Sequence, residues 1–226
     1  VYGSAFALSM IWVAVCAPVL GTISDIQGRK KIYLTLFTVI SVIFTFLAGW
    51  TGTIWWALFF FAVANFSCQI AFVFYNAMIR YVASREKAGR VSGIGRMFGY
   101  GGALLAMILS KGIVSRWGYS VTIQVTAVAF IFFSVPALVF IHEKKREKSP
   151  PLISFFTRRK MRSVLQRIGE VIYRGTQFKE LRLFLLMYLL LMCAVQSLSL
   201  FLSVYAGEVF LLDEKEIINL IFISTL

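Results

Sequence analysis

Two long stretches of this chain, 1–24 and 32–79, carry no charged residue. A backbone in hydrocarbon must satisfy its own N–H and C=O groups, so an apolar run of about 18 or more residues reads as a bilayer-spanning helix. Between the two runs lies Gly21-Thr22-Ile23-Ser24-Asp25-Ile26-Gln27-Gly28-Arg29-Lys30-Lys31. It reads as a tight charged turn joining two spans at a membrane surface. Apolar segments near 3–24, 32–49, 54–79, 91–110, 119–142, 183–206 and 216–226 continue the pattern, the last too short to span. Trp50-Thr51-Gly52-Thr53 divides the 32–79 run into two helices, with Trp55 and Trp56 at the interface. The expected fold is all-α, a polytopic transmembrane helical bundle.

Composition agrees. The chain is 59% hydrophobic, with a mean hydropathy of +0.82, beyond the range of soluble domains. The apolar run at 1–24 is too long, and lacks the basic start, for a cleavable leader. A net charge of +13 would suggest nucleic acid in a soluble protein. Here the charge sits in loops, so anionic lipids of the inner leaflet are the expected partner and nucleic acid is not. Of the 23 Lys and Arg residues, 20 fall in or beside three loops, at 25–31, at 80–90 and at 143–182. The positive-inside rule assigns those loops to the cytoplasm. Cys16, Cys68 and Cys193 lie inside apolar runs, at no metal or disulfide spacing.

The segment 143–182 divides the chain. Pro150-Pro151 stops the preceding helix. Val164, Leu165, Ile168, Val171 and Ile172 then follow helical spacing between Arg162, Arg167 and Arg174. This predicts an amphipathic helix lying on the inner leaflet, or a binding segment for a soluble regulator. Three regions follow: a helical half at 1–142, a basic linker at 143–182, and the start of a second half at 183–226.

The spacing Gly21-x3-Asp25-x2-Gly28-Arg29-Lys30 resembles the loop signature of the major facilitator superfamily, found there between helices two and three. A second match runs from Phe74-Tyr75-Asn76-Ala77 through Gly89-Arg90-Val91-Ser92-Gly93-Ile94-Gly95 to Gly99-Tyr100-Gly101-Gly102. With Phe184-Leu185 and Gln196-Ser197, it resembles the vacuolar amino-acid effluxer-like, autophagy-related branch. The branch usually carries a Pro soon after Tyr-Asn-Ala, where this chain has Met78-Ile79-Arg80. It often has Asp-Gly in helix seven, where this chain has Cys193-Ala194. The resemblance implies a 6+6 architecture, with this chain running from helix two to part of helix eight and a first helix expected ahead of it. It also implies that Gly21, Asp25, Gly28 and Arg29 form a latch between the halves. The competing reading of the basic residues is topology alone, favoured for Lys30 and Lys31.

Asn65, Gln69, Phe72 and Asn76 share one helix face at i, i+4, i+7 and i+11. Gln196, Ser199 and Ser203 repeat the pattern at i, i+3 and i+7. Amides in a bilayer face a bundle interior or a wet cavity. The resemblance places both stripes, on helices four and seven, along a central solute path; interhelical hydrogen bonding is the alternative. Gly95, Gly99 and Gly102, followed by Ala106, form a small-residue stripe suited to close helix packing. Arg96 either snorkels to the surface or pairs with an anion. His142 reads as interfacial.

The segments hold no deep carboxylate, no phosphate-binding Gly-x4-Gly-Lys loop and no His-Glu-x2-His. No catalytic residue, metal or cofactor is expected, and the chain does not read as an enzyme. The expected function is movement of a small polar solute, an amino acid by resemblance, by secondary active or facilitative alternating access. A transport-inactive receptor or scaffold with the same fold is the competing class. The expected setting is a monomer in the cell membrane, or the vacuolar membrane of a eukaryote.

Overall fold

The computed structural model describes residues 2–84, 86–141, 143 and 158–210. Every regular element among them is a helix: α1 (Tyr2–Gln27), α2 (Lys30–Trp50), α3 (Ile54–Ala77), α4 (Ile79–Val82), α5 (Ala88–Phe140), α6 (Arg158–Gln177) and α7 (Lys179–Val209). Five of these, α1, α2, α3, α5 and α7, are long and apolar enough to cross a membrane. The segment expected at 216–226 and His142 lie outside the described residues.

The expected boundaries hold for α1 to α3, and the turns explain them. Gly28 sits at φ 66°, a conformation costly for any residue with a Cβ. Its N–H donates to the Ser24 carbonyl at 2.8 Å, and the Arg29 N–H reaches the same oxygen at 3.4 Å. This left-handed cap ends α1 and reverses the chain in two residues. Between α2 and α3, Thr51 and Thr53 are extended.

The region expected as two segments, 91–110 and 119–142, with a loop between, is helical through Trp117. α5 has 53 residues, or about 80 Å at 1.5 Å per residue, far more than a ~30 Å hydrocarbon core. It is broken at Gly118 (φ 81°, ψ 176°), so limbs 88–117 and 119–140 each have the length for a separate crossing. Nothing from Lys111 to Trp117 stops a helix, and the positive φ at Gly118 does.

Two compact units are present. The first comprises the described residues of Val1–Met97 and Leu109–Ile168, the second those of Phe98–Ile108 and Gly169–Leu226. In the first unit α3 packs against both α1 and α2. Its core is Ile23, Tyr33, Leu34, Ile70, Phe74 and Met78, with Val164 of α6 fully buried among them and Ile168 packed beside it. In the first half of α6, Val164 and Ile168 pack against the basic-loop end of α1 to α3, while Leu165, Arg162 and Arg167 remain exposed.

The distribution of polarity is inverted relative to a water-soluble bundle. Ser9, Ser24, Thr38, Ser41 and Ser67 are buried, while Trp12, Leu36, Phe59 and Phe132 are exposed. Apolar lipid gives helices no hydrophobic reason to associate, so small residues and hydrogen bonds form the seams. Ser41 donates to the Ala64 carbonyl at 3.1 Å, joining α2 to α3. At Gly49 an added Cβ would lie 2.8 Å from the Ser120 carbonyl oxygen and 3.2 Å from the Ile123 Cβ. α2 and the second limb of α5 therefore touch almost backbone to backbone at that end.

The described residues of the second unit are 98–108 and 169–210. The described side chains of α7 from Lys179 to Leu198 are exposed, as are most in 98–108.

Candidate functional site

The α1–α2 turn concentrates the charge chemistry of the first unit. Helix α2 begins with Lys30 and Lys31, two cations at the end where the helix dipole is already positive. Its N-cap residue, Arg29, provides no side-chain acceptor. Both deficits are met by carboxylates. Asp25, 58% exposed, pairs at 2.7 Å with the Lys30 ammonium, whose side chain is only 6% exposed. Glu143 accepts the backbone N–H of Lys30 at 2.7 Å and that of Lys31 at 3.0 Å, one on each carboxylate oxygen. These are two of the four donors that a helix start leaves without an intrahelical partner.

The contact is reciprocal. The Lys31 ammonium donates to the Ile141 carbonyl at 2.8 Å, just past the C-terminal end of α5, where a cation is favoured. Beneath this layer the Tyr33 hydroxyl donates to the Gln27 amide oxygen at 2.6 Å, and Tyr33 stacks on Phe74 at 5.2 Å between ring centroids. Ser24 donates to the Gly21 carbonyl at 2.8 Å. The cluster thus joins three helix ends through ionic and charge-assisted bonds. Such bonds can be made in one conformation and released in another.

Of the four expected latch residues, Gly28 shapes the turn, Asp25 carries the ion pair, and Gly21 is a half-buried helical position. Arg29 is exposed, and among the described residues its guanidinium has no partner. Lys30 and Lys31, read from sequence as topological, are the ones engaged. The sequence reading also passed over Glu143, the first acidic residue after an apolar helix that ends beside a basic turn. That placement was the available signal.

The polar face of α3 divides. Asn65 donates to the Ser9 hydroxyl at 2.7 Å, and Ser9 donates on to the Phe6 carbonyl at 2.7 Å. Its amide is thus committed to the α1–α3 seam. Gln69 is half-buried and Asn76 exposed, and among the described residues neither side-chain amide has a hydrogen-bond partner. Phe72 is exposed beside Tyr75 and lines a cavity of about 320 Å³ with Leu34, Cys68 and Phe130.

On α7, Gln196 is exposed and likewise has no partner among the described residues. The side chains of Ser199 and Ser203 lie outside the described set. Gly95, Gly99 and Gly102 are exposed, and a Cβ added at any of them meets nothing within 4 Å. Among the described glycines, a close approach is found at Gly49. Arg96 is exposed. Among the described residues no group of His, Cys, Asp or Glu could hold a metal.

The Major Facilitator Superfamily pattern matches residues 1–226. The chain is 27% identical over 199 residues to YxiO of Bacillus subtilis (strain 168), described as an uncharacterized MFS-type transporter; the match covers 82% of this chain and 45% of that protein. It is 26% identical over 227 residues to an uncharacterized protein of Aquifex aeolicus (strain VF5), covering 100% of this chain and 53% of the relative. The chain therefore spans about half the length of these curated relatives. No solved structure matches it. With the family pattern running through all its apolar helices and the charged α1–α2 turn, this integral, multi-pass membrane chain belongs to the Major Facilitator Superfamily.

Proposed function

We propose that the chain is part of a secondary active or facilitative transporter that moves a small polar solute by alternating access, with the α1–α2 turn acting as a conformational latch. The observation that carries the latch is the ionic layer: a buried Lys30 held by a solvent-open Asp25, and a Glu143 carboxylate seated on the start of α2. A buried ammonium needs its counterion. A partner that reaches it from the solvent side can exchange that contact for another when the protein changes state.

The solute is proposed to be a zwitterion or neutral polar molecule, an amino acid in the effluxer-like reading. Gln69, Asn76 and Gln196 carry amides without partners among the described residues, which suits hydrogen bonding to such a solute. Asn65, the other amide of that stripe, bonds Ser9 across the α1–α3 seam. Ser199 and Ser203 complete the proposed solute-binding set. The basic loops are proposed to be cytoplasmic, beside anionic lipid, with the protein a monomer in the cell membrane.

The test is uptake by full-length protein reconstituted into vesicles, with a panel of labelled amino acids, sugars and organic anions. Saturable uptake of an amino acid, reduced severalfold by Asp25→Asn at equal protein abundance, supports the reading. Binding of a solute without any uptake would turn it into a receptor that keeps the fold.

A further inference from the structure

The cavity beside Phe72 lies wholly within the first unit, between α2, α3 and the second limb of α5. Its wall is almost entirely apolar. Small side chains, Cys68, Ala71 and Ala137, open the space, and the rings of Phe72, Phe130 and Phe133 wall it. The facing helices cannot simply close over it. α2 and α5 are in contact at one end through Gly49 and Ser120, and at the other through Glu143 and the start of α2. About 320 Å³ stays open between two fixed points, at the small end of ligand pockets, which run to about 1,000 Å³.

A cation stands just beyond one end of the cavity. Lys31, Leu34 and Thr38 share a face of α2, at i, i+3 and i+7. Leu34 and Thr38 line the cavity, so Lys31 stands one turn beyond it, at the basic-loop end. An ammonium has three donors. The structure uses one Lys31 donor on the Ile141 carbonyl. Arg29 is exposed nearby in sequence, and α6 brings the exposed Arg162 and Arg167 to the same end through Val164. Among the described residues these cations outnumber the carboxylates printed at this end, Asp25 and Glu143. Each of those is already engaged, by the Lys30 ammonium and by two backbone N–H groups.

We infer that this cavity is a binding site for an anionic phospholipid of the leaflet at the basic end, one acyl chain lying between α2, α3 and α5 and the phosphate held at Lys31. The geometry matches the amphipathic ligand: an aromatic, largely apolar slot, with a cation one helical turn beyond it that has, among the described residues, donors to spare. The site needs the membrane placement of the chain and does not need solute movement, so failure of transport and failure of lipid binding are separately readable.

Cys68 lines the slot and serves as its reporter. In full-length protein lacking all other cysteines, including Cys16 and Cys193, an uncharged maleimide in detergent should label Cys68. Phosphatidylglycerol should slow that labelling severalfold, while phosphatidylcholine with the same chains should not. Lys31→Gln should erase the difference between the two lipids, and Ala137→Phe should slow labelling with no lipid added. Native mass spectrometry of the unmutated protein provides an arm that needs no variant: retained phosphatidylglycerol should exceed retained phosphatidylcholine. Equal slowing by both lipids, no slowing by either, or protection by oleate but not by phosphatidylglycerol would each overturn the site. So would equal retention of the two lipids.

Discussion

The Lys30 ammonium and the Asp25 carboxylate meet at 2.7 Å across the Gly28 turn, the lysine side chain 6% exposed and the aspartate 58%. The pair is lopsided. Removing the aspartate strands a buried cation, whereas removing the lysine only returns a surface carboxylate to water. Asp25→Asn should therefore cut uptake severalfold while Lys30→Met keeps more of the folded protein. A change of ~1.4 kcal/mol between two states alters their ratio tenfold. Uptake at equal membrane abundance checks this, and an unchanged rate in Asp25→Asn removes the latch.

Glu143 should rank by what its replacement can still accept. Gln keeps an oxygen but loses the charge; Ala leaves two helix-start donors bare. We expect the melting temperature in detergent to fall in the order wild type, Glu143→Gln, Glu143→Ala. The full loss is about 1–3 kcal/mol, from unsatisfied donors and a lost dipole contact. Equal melting of the alanine variant and wild type would show that the carboxylate contributes nothing there.

Glycines separate into two kinds. A Cβ at Gly49 collides with a backbone oxygen at 2.8 Å, which cannot rotate away. Gly49→Ala should therefore cost ~1–3 kcal/mol through overpacking. Gly99→Ala meets open space within this chain and should melt like wild type. Thermal unfolding of the two variants side by side decides it, and destabilisation by Gly99→Ala alone would reverse the assignment.

The amides should part in the same way. Asn65→Ala breaks the bond to Ser9 and should lower stability by ~0.6 kcal/mol, the average for such membrane bonds, with solute affinity retained. Gln69→Ala and Gln196→Ala should instead weaken affinity roughly tenfold or more without loss of folded protein, as expected when a hydrogen bond to a charged group is removed. Calorimetric titration with the transported solute distinguishes them. Unchanged affinity in both Gln variants would give those amides a structural role.

Charge-free runs showed the helices of the first unit because lipid imposes a strong constraint on them: few residue types can stand there. Gly28 was legible because a sharp turn between spans needs a left-handed residue. The partners of Lys30 and Lys31 were not legible. Asp25 offered three nearby cations in sequence, and only the geometry of the Gly28 turn selects Lys30. Glu143 lies more than a hundred residues from the amides it receives, so its place after an apolar helix could mark it as a helix-end acid but not name its partners. The amide stripe was legible only as helical spacing, since periodicity cannot tell a residue spent on a neighbouring helix from one left unspent. Val164 was read correctly as apolar and helical, but the same stripe suits a lipid surface or a protein groove equally well.

Val164 also redraws the line along which this protein can be dissected. By sequence, the second half begins its approach at Glu143, and the intervening stretch invites replacement by an arbitrary spacer. Yet a side chain from that stretch fills the base of the first bundle, and the compact unit runs on to Ile168. A first half cut at the end of α5 would open a hole where Val164 belongs, exposing Ile23, Phe74 and Met78 to water on the basic side. Split or chimeric versions should therefore be joined between Ile168 and Gly169. What sequence presents as a tether is, for its first helical turns, a cork.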